Sequence, residues 1–272
     1  MQDTGKFRTN TKDQFYTKNT IACECIKYIV DKIKNFNEYT WLEPSAGTGS
    51  FYENIPSGCS KIGIDIDPKN KNIIECDYLN WEPKNEKYIV IGNPPFGRQS
   101  SLAKKFIKKS CQYADIIAFI LPLSFVKPSM YSSFDKMFHN IFTRQLEEKS
   151  FILNGEEYDV PCVFQIWMKK DIPRETEKKV SPEGFKYVSK NEDYDFAIRR
   201  VGVNAGRCSL PKEELNVQTH YFIKLINDMS LENIFSKMNN HEYKKNTTGP
   251  KSISKQEVTR VLNKTFIIKC YT

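Results

Sequence analysis

The chain has 272 residues, and 41 Lys+Arg against 33 Asp+Glu give it a net charge of +8. With 39% apolar and 13% aromatic residues it can bury a proper core, as one large domain or one domain plus a smaller module, which excludes a disordered or fibrous chain. The basic balance suits a polyanionic partner. Eight scattered cysteines form no Cys-x-x-Cys pair, so zinc is not expected and free thiols point to a reducing compartment. The longest apolar run, residues 116–126, is too short to cross a bilayer, and no signal-peptide pattern opens the chain. The expectation is cytoplasm, a nucleus or a virus-infected host's cytoplasm rather than secretion.

The first twelve residues are polar and expected to be mobile. Phe15, Tyr16 and Thr17 then precede an amphipathic helix expected over 20–36, with Thr20 as its cap and Ile21, Ile26, Ile29, Val30 and Ile33 on one face. Residues 39–51 read as a strand running through Glu43-Pro-Ser-Ala46-Gly47-Thr-Gly49-Ser into a helix. Small residues let backbone approach a ligand, and a helix start offers free N–H groups. Glu43 sits where a phosphate binder would avoid negative charge, and no Lys follows the glycines, so neither phosphate fingerprint fits. A carboxylate there suits a ligand carrying an ammonium group.

Two further strands, at 61–65 and 73–79, end in acid at Asp65 and Asp77. An acid after the second strand of an open α/β sheet commonly takes ribose hydroxyls. Each taken alone reads as a turn or helix cap, but three consecutive strands delivering a carboxylate to one edge fit a ligand better. Next comes Tyr88-Ile-Val-Ile-Gly-Asn93-Pro94-Pro95-Phe96-Gly97, an apolar strand stopped by two prolines. A fixed amide, rigid carbonyls and an aromatic face at that edge suit a flat, nitrogen-bearing substrate.

A fifth strand is expected over 116–121, then a helix over 129–142 with Met130, Phe134, Met137, Phe138 and Ile141 inward. Residues 151–155 and 160–167 look like a hairpin closing the sheet. Lys104, Lys105, Lys108 and Lys109 share a helix face that reads as solvated. From 171 to 195 the composition turns charged, marking a linker. Beyond it, 196–207 reads as a strand bearing Arg199, Arg200 and Arg207, with helices over 217–228, 231–238 and 254–264. Side-chain alternation would put Arg199 and Arg207 on one face and Arg200 on the other.

Over residues 13–170, the set Phe15-Tyr-Thr17, Glu43 through Phe51, Asp65, Asp77 and Asn93-Pro-Pro-Phe96 resembles the S-adenosylmethionine-dependent N6-adenine methyltransferases of gamma-like motif order. The resemblance implies an α/β, Rossmann-like class I methyltransferase fold, with a mostly parallel sheet, a closing hairpin and a small C-terminal extension. It implies a catalytic domain over 1–172 and a target-recognition region or extension over 173–272. S-adenosyl-L-methionine would be the cofactor, with Phe15, Tyr16, Thr17, Glu43, Ala46, Gly47, Gly49, Asp65, Asp77, Tyr78 and Asn93 around it. Thr17 and Glu43 would hold the methionine end, Asp65 the ribose and Asp77 the adenine amino group, with Tyr78 against the ring. Asn93 and the carbonyl of Pro94, fixed by Pro95, would hold the target amino group, and Phe96 would stack on the base.

Tyr158 or Phe151 would supply a second stacking ring, and Arg199, Arg200 and Arg207 would meet nucleic acid, Arg200 more in the manner of a structural partner to an acidic residue. The implied partner is DNA, with RNA second, and a specificity subunit or a second copy of the chain; no membrane is implied. RNA adenine, a protein glutamine amide, and a catalytically silent nucleic-acid-binding subunit stand as alternatives.

Overall fold

The computed structural model describes residues 15–176, 178–226, 230–245 and 249–267. The polar stretch 1–12 lies outside them. The chain divides into two compact units, residues 1–175 and 176–272.

In the first unit, β1 (Tyr16–Thr17) leads into α1 (Asn19–Lys32), then β2 (Thr40–Glu43), β3 (Lys61–Asp65), β4 (Ile74–Glu75) and β5 (Tyr88–Gly92). After α2 (Ser101–Ser110) come β6 (Ile116–Pro122), β7 (Phe138–Gln145), β8 (Phe151–Leu153), β9 (Glu156–Tyr158) and β10 (Cys162–Lys169). Seven of these strands form one sheet in the order β4-β3-β2-β5-β6-β10-β7. The β4-β3-β2-β5-β6 part is parallel, and β10 runs antiparallel to both of its neighbours. The order is thus 3-2-1-4-5-7-6 with the seventh strand reversed.

The centre of the sheet follows directly from composition. β5 and β6 are apolar runs rich in β-branched and aromatic residues, and every residue of both is buried. Strands covered on both faces show such continuous apolar runs. α1 lays Ile21, Ala22, Cys25, Ile26 and Ile29 on the core at helical spacing. It is shorter than expected: Ile33 is already extended, and the residue before the helix is Lys18, so Thr20 lies inside rather than capping it.

Three other expectations are corrected. The glycine loop after β2 opens only a 3-10 turn, Tyr52–Asn54, not a helix. Residues 129–142 are not helical: Pro128 starts a 3-10 segment to Ser133, and the Asp135 carboxylate accepts the Met137 N–H at 2.8 Å, turning the chain into β7. The sheet is closed by β7 with β10, while β8 and β9 pair with β1 in a small separate sheet.

The second unit has its own core. β11 (Phe185–Val188), β12 (Phe196–Arg199), β13 (Cys208–Ser209) and β14 (His220–Leu225) form an antiparallel sheet in the order β11-β14-β12-β13. Phe185, Phe196, Ile198 and Ile223 pack with Ile234 and Met238 of α3 (Leu231–Asn240) and Val258 and Leu262 of α4 (Lys255–Ile267). The helix expected over 217–228 is instead β14, hydrogen-bonded on both sides, which its aromatic and β-branched run favours.

Candidate active site

Strand order reverses between β2 and β5, so the loops leaving their carboxyl ends diverge and leave a crevice. A cavity of about 480 Å³ occupies it. Phe15, Tyr16 and Thr17 line it with Glu43, Ala46, Gly47, Asp65, Asp77, Tyr78, Asn93, Pro94, Pro95 and Phe96. Segments as distant in sequence as 15 and 96 are thereby brought to one wall. Gly49 is not on that wall.

The floor is built by backbone–carboxylate contacts. Glu43, at the end of β2, is 2% exposed and its Oε2 accepts the Tyr52 N–H at 2.7 Å. Burial pushes its carboxyl well above the usual range, the nearby charge of Asp65 adds to this, and the Tyr52 and Phe51 N–H groups oppose it. Asp65 accepts the Gly47 N–H on Oδ2 and the Asp67 N–H on Oδ1, both at 2.8 Å. The loop can turn this tightly because Gly47 has φ +52°, and a Cβ there would lie 3.0 Å from the Tyr16 ring. Asp77 accepts the Leu79 N–H and the Asn80 side-chain amide, each at 2.9 Å. It therefore caps the 3-10 turn Tyr78–Asn80 while also lining the cavity.

At the other side stands the Asn93-Pro-Pro-Phe turn. The Asn93 side-chain amide donates to the Phe15 carbonyl at 3.1 Å, and the Ser45 hydroxyl donates to the Asn93 carbonyl at 3.1 Å. Asn93 Oδ1 and Thr17 Oγ1 are both buried with no hydrogen-bond partner among the described residues. Buried polar atoms are normally satisfied, so two orphans on one cavity wall indicate a ligand that supplies hydrogen-bond partners, a donor in the case of the Asn93 oxygen.

The aromatic residues divide into wall and core. Phe96 is 6% exposed. Tyr78 is fully buried, its hydroxyl bonded to Ser110 and Tyr113 and its ring 5.0 Å from Phe106, which also lines the cavity. Tyr158 stacks on Phe15 at 5.2 Å and 14°, outside the lining, whereas Phe151 is a core residue. Ile66 was not singled out from sequence, yet it is 69% exposed and lines the cavity beside Asp65. Its place one residue after the strand-ending acid was the available signal. Ser45 and Phe106 carry no such signal, because their role depends on partners 48 and 28 positions away.

The three arginines are dispersed. β12 ends at Arg199, whose backbone N–H meets the Arg207 carbonyl across a turn, so Arg199 and Arg207 oppose each other on two arms of a turn instead of lying along one strand. Arg199 Nε donates to the Val201 carbonyl at 3.0 Å. Arg200 lies 5.1 Å over the Tyr221 ring of its own unit rather than on a carboxylate, and Arg207 is exposed. Of the lysines on α2, Lys109 pairs with Glu82 at 3.6 Å and Lys105 and Lys108 are exposed.

No family model matches the sequence. The chain is 27% identical over 138 aligned residues to the Type II methyltransferase M.CvrRI of Paramecium bursaria Chlorella virus XZ-6E, covering 38% of this chain and 35% of that protein. It therefore spans about a third of the length of that relative. Among solved structures it is similar to the type I restriction-modification system methyltransferase subunit from Streptococcus thermophilus, with 14% identity, TM-score 0.43, and coverage of 58% of this chain and 45% of that one. It is also similar to the 23S rRNA methyltransferase ErmE, with 13% identity, TM-score 0.45, and coverage of 59% of this chain and 71% of that one.

Proposed function

We propose that this chain, whose sheet has the class I S-adenosylmethionine-dependent methyltransferase fold, methylates the N6 amino group of adenine in DNA. The observation that carries the reading is Asn93: its amide nitrogen is held by the Phe15 carbonyl, and its buried Oδ1 has no partner at the cavity wall. A carbonyl can only accept, so the nitrogen faces Phe15 and the oxygen remains to accept an N–H from a substrate.

The cavity fits the proposed cofactor by its donor and acceptor set. Glu43 and Thr17 present acceptors suited to an ammonium group, Asp65 is oriented by two backbone N–H groups toward hydroxyls, and Ile66 offers an apolar surface for a planar ring. S-adenosylmethionine supplies an electrophilic methyl group on a positively charged sulfur.

The residues of the chain then have positioning work. An exocyclic adenine nitrogen is a poor nucleophile because its lone pair is delocalised into the ring. Asn93 Oδ1 and the Pro94 carbonyl would each accept one N–H, drawing the nitrogen toward tetrahedral geometry and freeing its lone pair for the methyl carbon. Methyl transfer would exchange the cofactor's carbon–sulfur bond for the new C–N bond, and the nitrogen would then release one proton to solvent. Fixed dipoles and orientation supply the rate, and no strong base is required. Phe96 would meet the face of a base that has left the duplex stack.

The viral type II methyltransferase relative and the basic charge support a nucleic-acid substrate. The test is incubation with labelled cofactor and either DNA or RNA, followed by nucleoside mass spectrometry. N6-methyldeoxyadenosine from DNA is expected. Label confined to RNA would replace this reading with the RNA alternative, and label on neither nucleic acid would overturn it.

A further inference from the structure

Charge is distributed unevenly along the chain. Residues 176–272 carry 17 Lys+Arg against 11 Asp+Glu, net +6, while residues 1–175 carry 24 against 22. Yet two of the three arginines that stand out in that second unit are engaged within it. Arg199 is turned back on the Val201 carbonyl, and Arg200 is laid over Tyr221.

A separate cleft of about 530 Å³ lies between α3 and α4, lined by Lys237, Lys244, Arg260 and Lys264 with His241 and Tyr243. Lys237, Lys244 and Lys264 are exposed, and among the described residues none of the three has a carboxylate within ion-pair distance. Two carboxylates also line the cleft. Glu257 is engaged elsewhere: its Oε2 accepts the N–H and the hydroxyl of Ser254, both at 2.8 Å, at the start of α4. Glu242 remains to oppose the three lysines.

Arg260 and Lys264 are four residues apart on α4, one helical turn, about 5–6 Å, while Lys237 lies on α3 and Lys244 beyond its end. The floor is fixed, because Tyr243 is 5% exposed, packs its ring on Gly206 and meets His241 edge-on at 4.5 Å. A cleft of this size is far larger than one phosphate, and several cations spread along its walls suit a repeating anion better than a single one.

We propose that the α3–α4 cleft seats the phosphodiester backbone of the nucleic-acid substrate, with Lys237, Lys244 and Lys264 as its phosphate contacts. The inference rests on the nucleic-acid reading above and assigns it a place in the second unit. Phosphate contacts fix register without reading sequence, so the cleft supplies affinity and salt dependence rather than target choice.

The experiment uses the full chain, with affinity measured by fluorescence anisotropy across a salt series for a labelled DNA duplex, its single strand and the matching RNA. For the polymer that binds best, Lys237→Ala/Lys264→Ala should reduce the log–log salt slope by about two phosphate contacts. Lys237→Glu/Lys264→Glu should weaken binding further, and Lys237→Arg/Lys264→Arg should keep the slope. S-adenosylmethionine affinity, measured alongside, should be unchanged, and an unchanged thermal transition and far-ultraviolet circular dichroism spectrum report that the second unit of each variant is folded. Arg199→Ala should change the slope less than the lysine pair. If the unmodified chain binds and the lysine variants keep its slope, the cleft is not the backbone seat, while the nucleic-acid reading survives. If the unmodified chain binds none of the three polymers, both fall.

Discussion

Asn93 faces two neighbours with opposite demands. Phe15 presents a carbonyl that needs a donor, whereas an amino group on the cavity side would need an acceptor, which the orphan Oδ1 of Asn93 itself provides. Only an amide meets the first while leaving an acceptor for the second. An aspartate would also offer two acceptors to an amino group, but here one of its oxygens would meet the Phe15 carbonyl at hydrogen-bond distance without a proton between them. Asn93→Asp should therefore fall toward Asn93→Ala, which should lose two or more orders of magnitude in turnover with cofactor affinity little changed. Single-turnover rates and calorimetry on both variants check this, and an Asp variant within about tenfold of the unmodified chain would remove the Phe15 contact from the argument.

Glu43 presents a different compromise at the same scale. Its carboxyl is pushed up by burial, so the folded chain holds that proton more tightly than the unfolded chain does. Glu43 thus favours folding most below its unfolded value near 4.5, and that contribution declines as pH rises toward the raised folded value. Glu43→Gln removes the ionisation while keeping an acceptor for the Tyr52 N–H. At neutral pH it should raise Tm of the ligand-free protein and weaken S-adenosylmethionine binding, with the Tm gain shrinking as pH falls toward about 4.5. A Gln variant less stable than the unmodified chain at every pH would show that the carboxylate is offset by contacts other than those described.

Among the elements, the segment 128–138 shows why part of the fold was not legible. Phe134, Phe138 and Ile141 recur at three- and four-residue spacing, which imitates a helix face. The chain instead makes a 3-10 turn and an edge strand, and the agent is distant. Arg174 donates to the carbonyls of Tyr131, Phe134, Asp135 and Phe138 and lies 5.5 Å over the Trp167 ring. Phe134 stacks on that same ring at 3.9 Å. A residue some forty positions downstream thus satisfies the backbone that a helix would have satisfied locally. The misreading of β14 has the same origin, since its ladder partners lie on both sides and far away in sequence.

By contrast β2, β3, β5 and β6 were readable, because buried apolar runs ending in Glu43, Asp65, Asn93 and Pro122 carry their own stop signals. Arg174→Ala should lower stability by about 1–3 kcal/mol, the range for lost hydrogen bonds to a charged group, discounted toward the low end because the guanidinium is only partly buried. Arg174→Lys should recover only part, since an ammonium cannot fork across four carbonyls. Urea midpoints at unchanged m read the effect, and a neutral Arg174→Ala would mean that the Phe134–Trp167 stack alone holds the turn.

At the scale of the whole molecule, each unit owns a hydrophobic core: one cluster spans Ile21 to Trp167 and the others lie between Phe185 and Leu262. Every residue lining the candidate active-site cavity lies between Phe15 and Phe106, inside the first unit. Most of the net charge lies in the second. If each core suffices for its own unit, residues 1–175 should fold alone, with the seven-stranded sheet complete and all acceptors for the cofactor present. Calorimetry should then give S-adenosylmethionine affinity within about threefold of the full chain, since no lining residue has been removed. Nucleic-acid affinity should fall much further and become nearly insensitive to salt, because a fragment with net charge +2 has lost the lysines that would displace counterions. Turnover on DNA at low concentration should fall with that affinity, while turnover at saturating DNA should be retained in greater part. A folded fragment with the full salt slope would put the polyanion contacts on the catalytic unit, and one that binds no cofactor would show that the cavity needs the second unit to form.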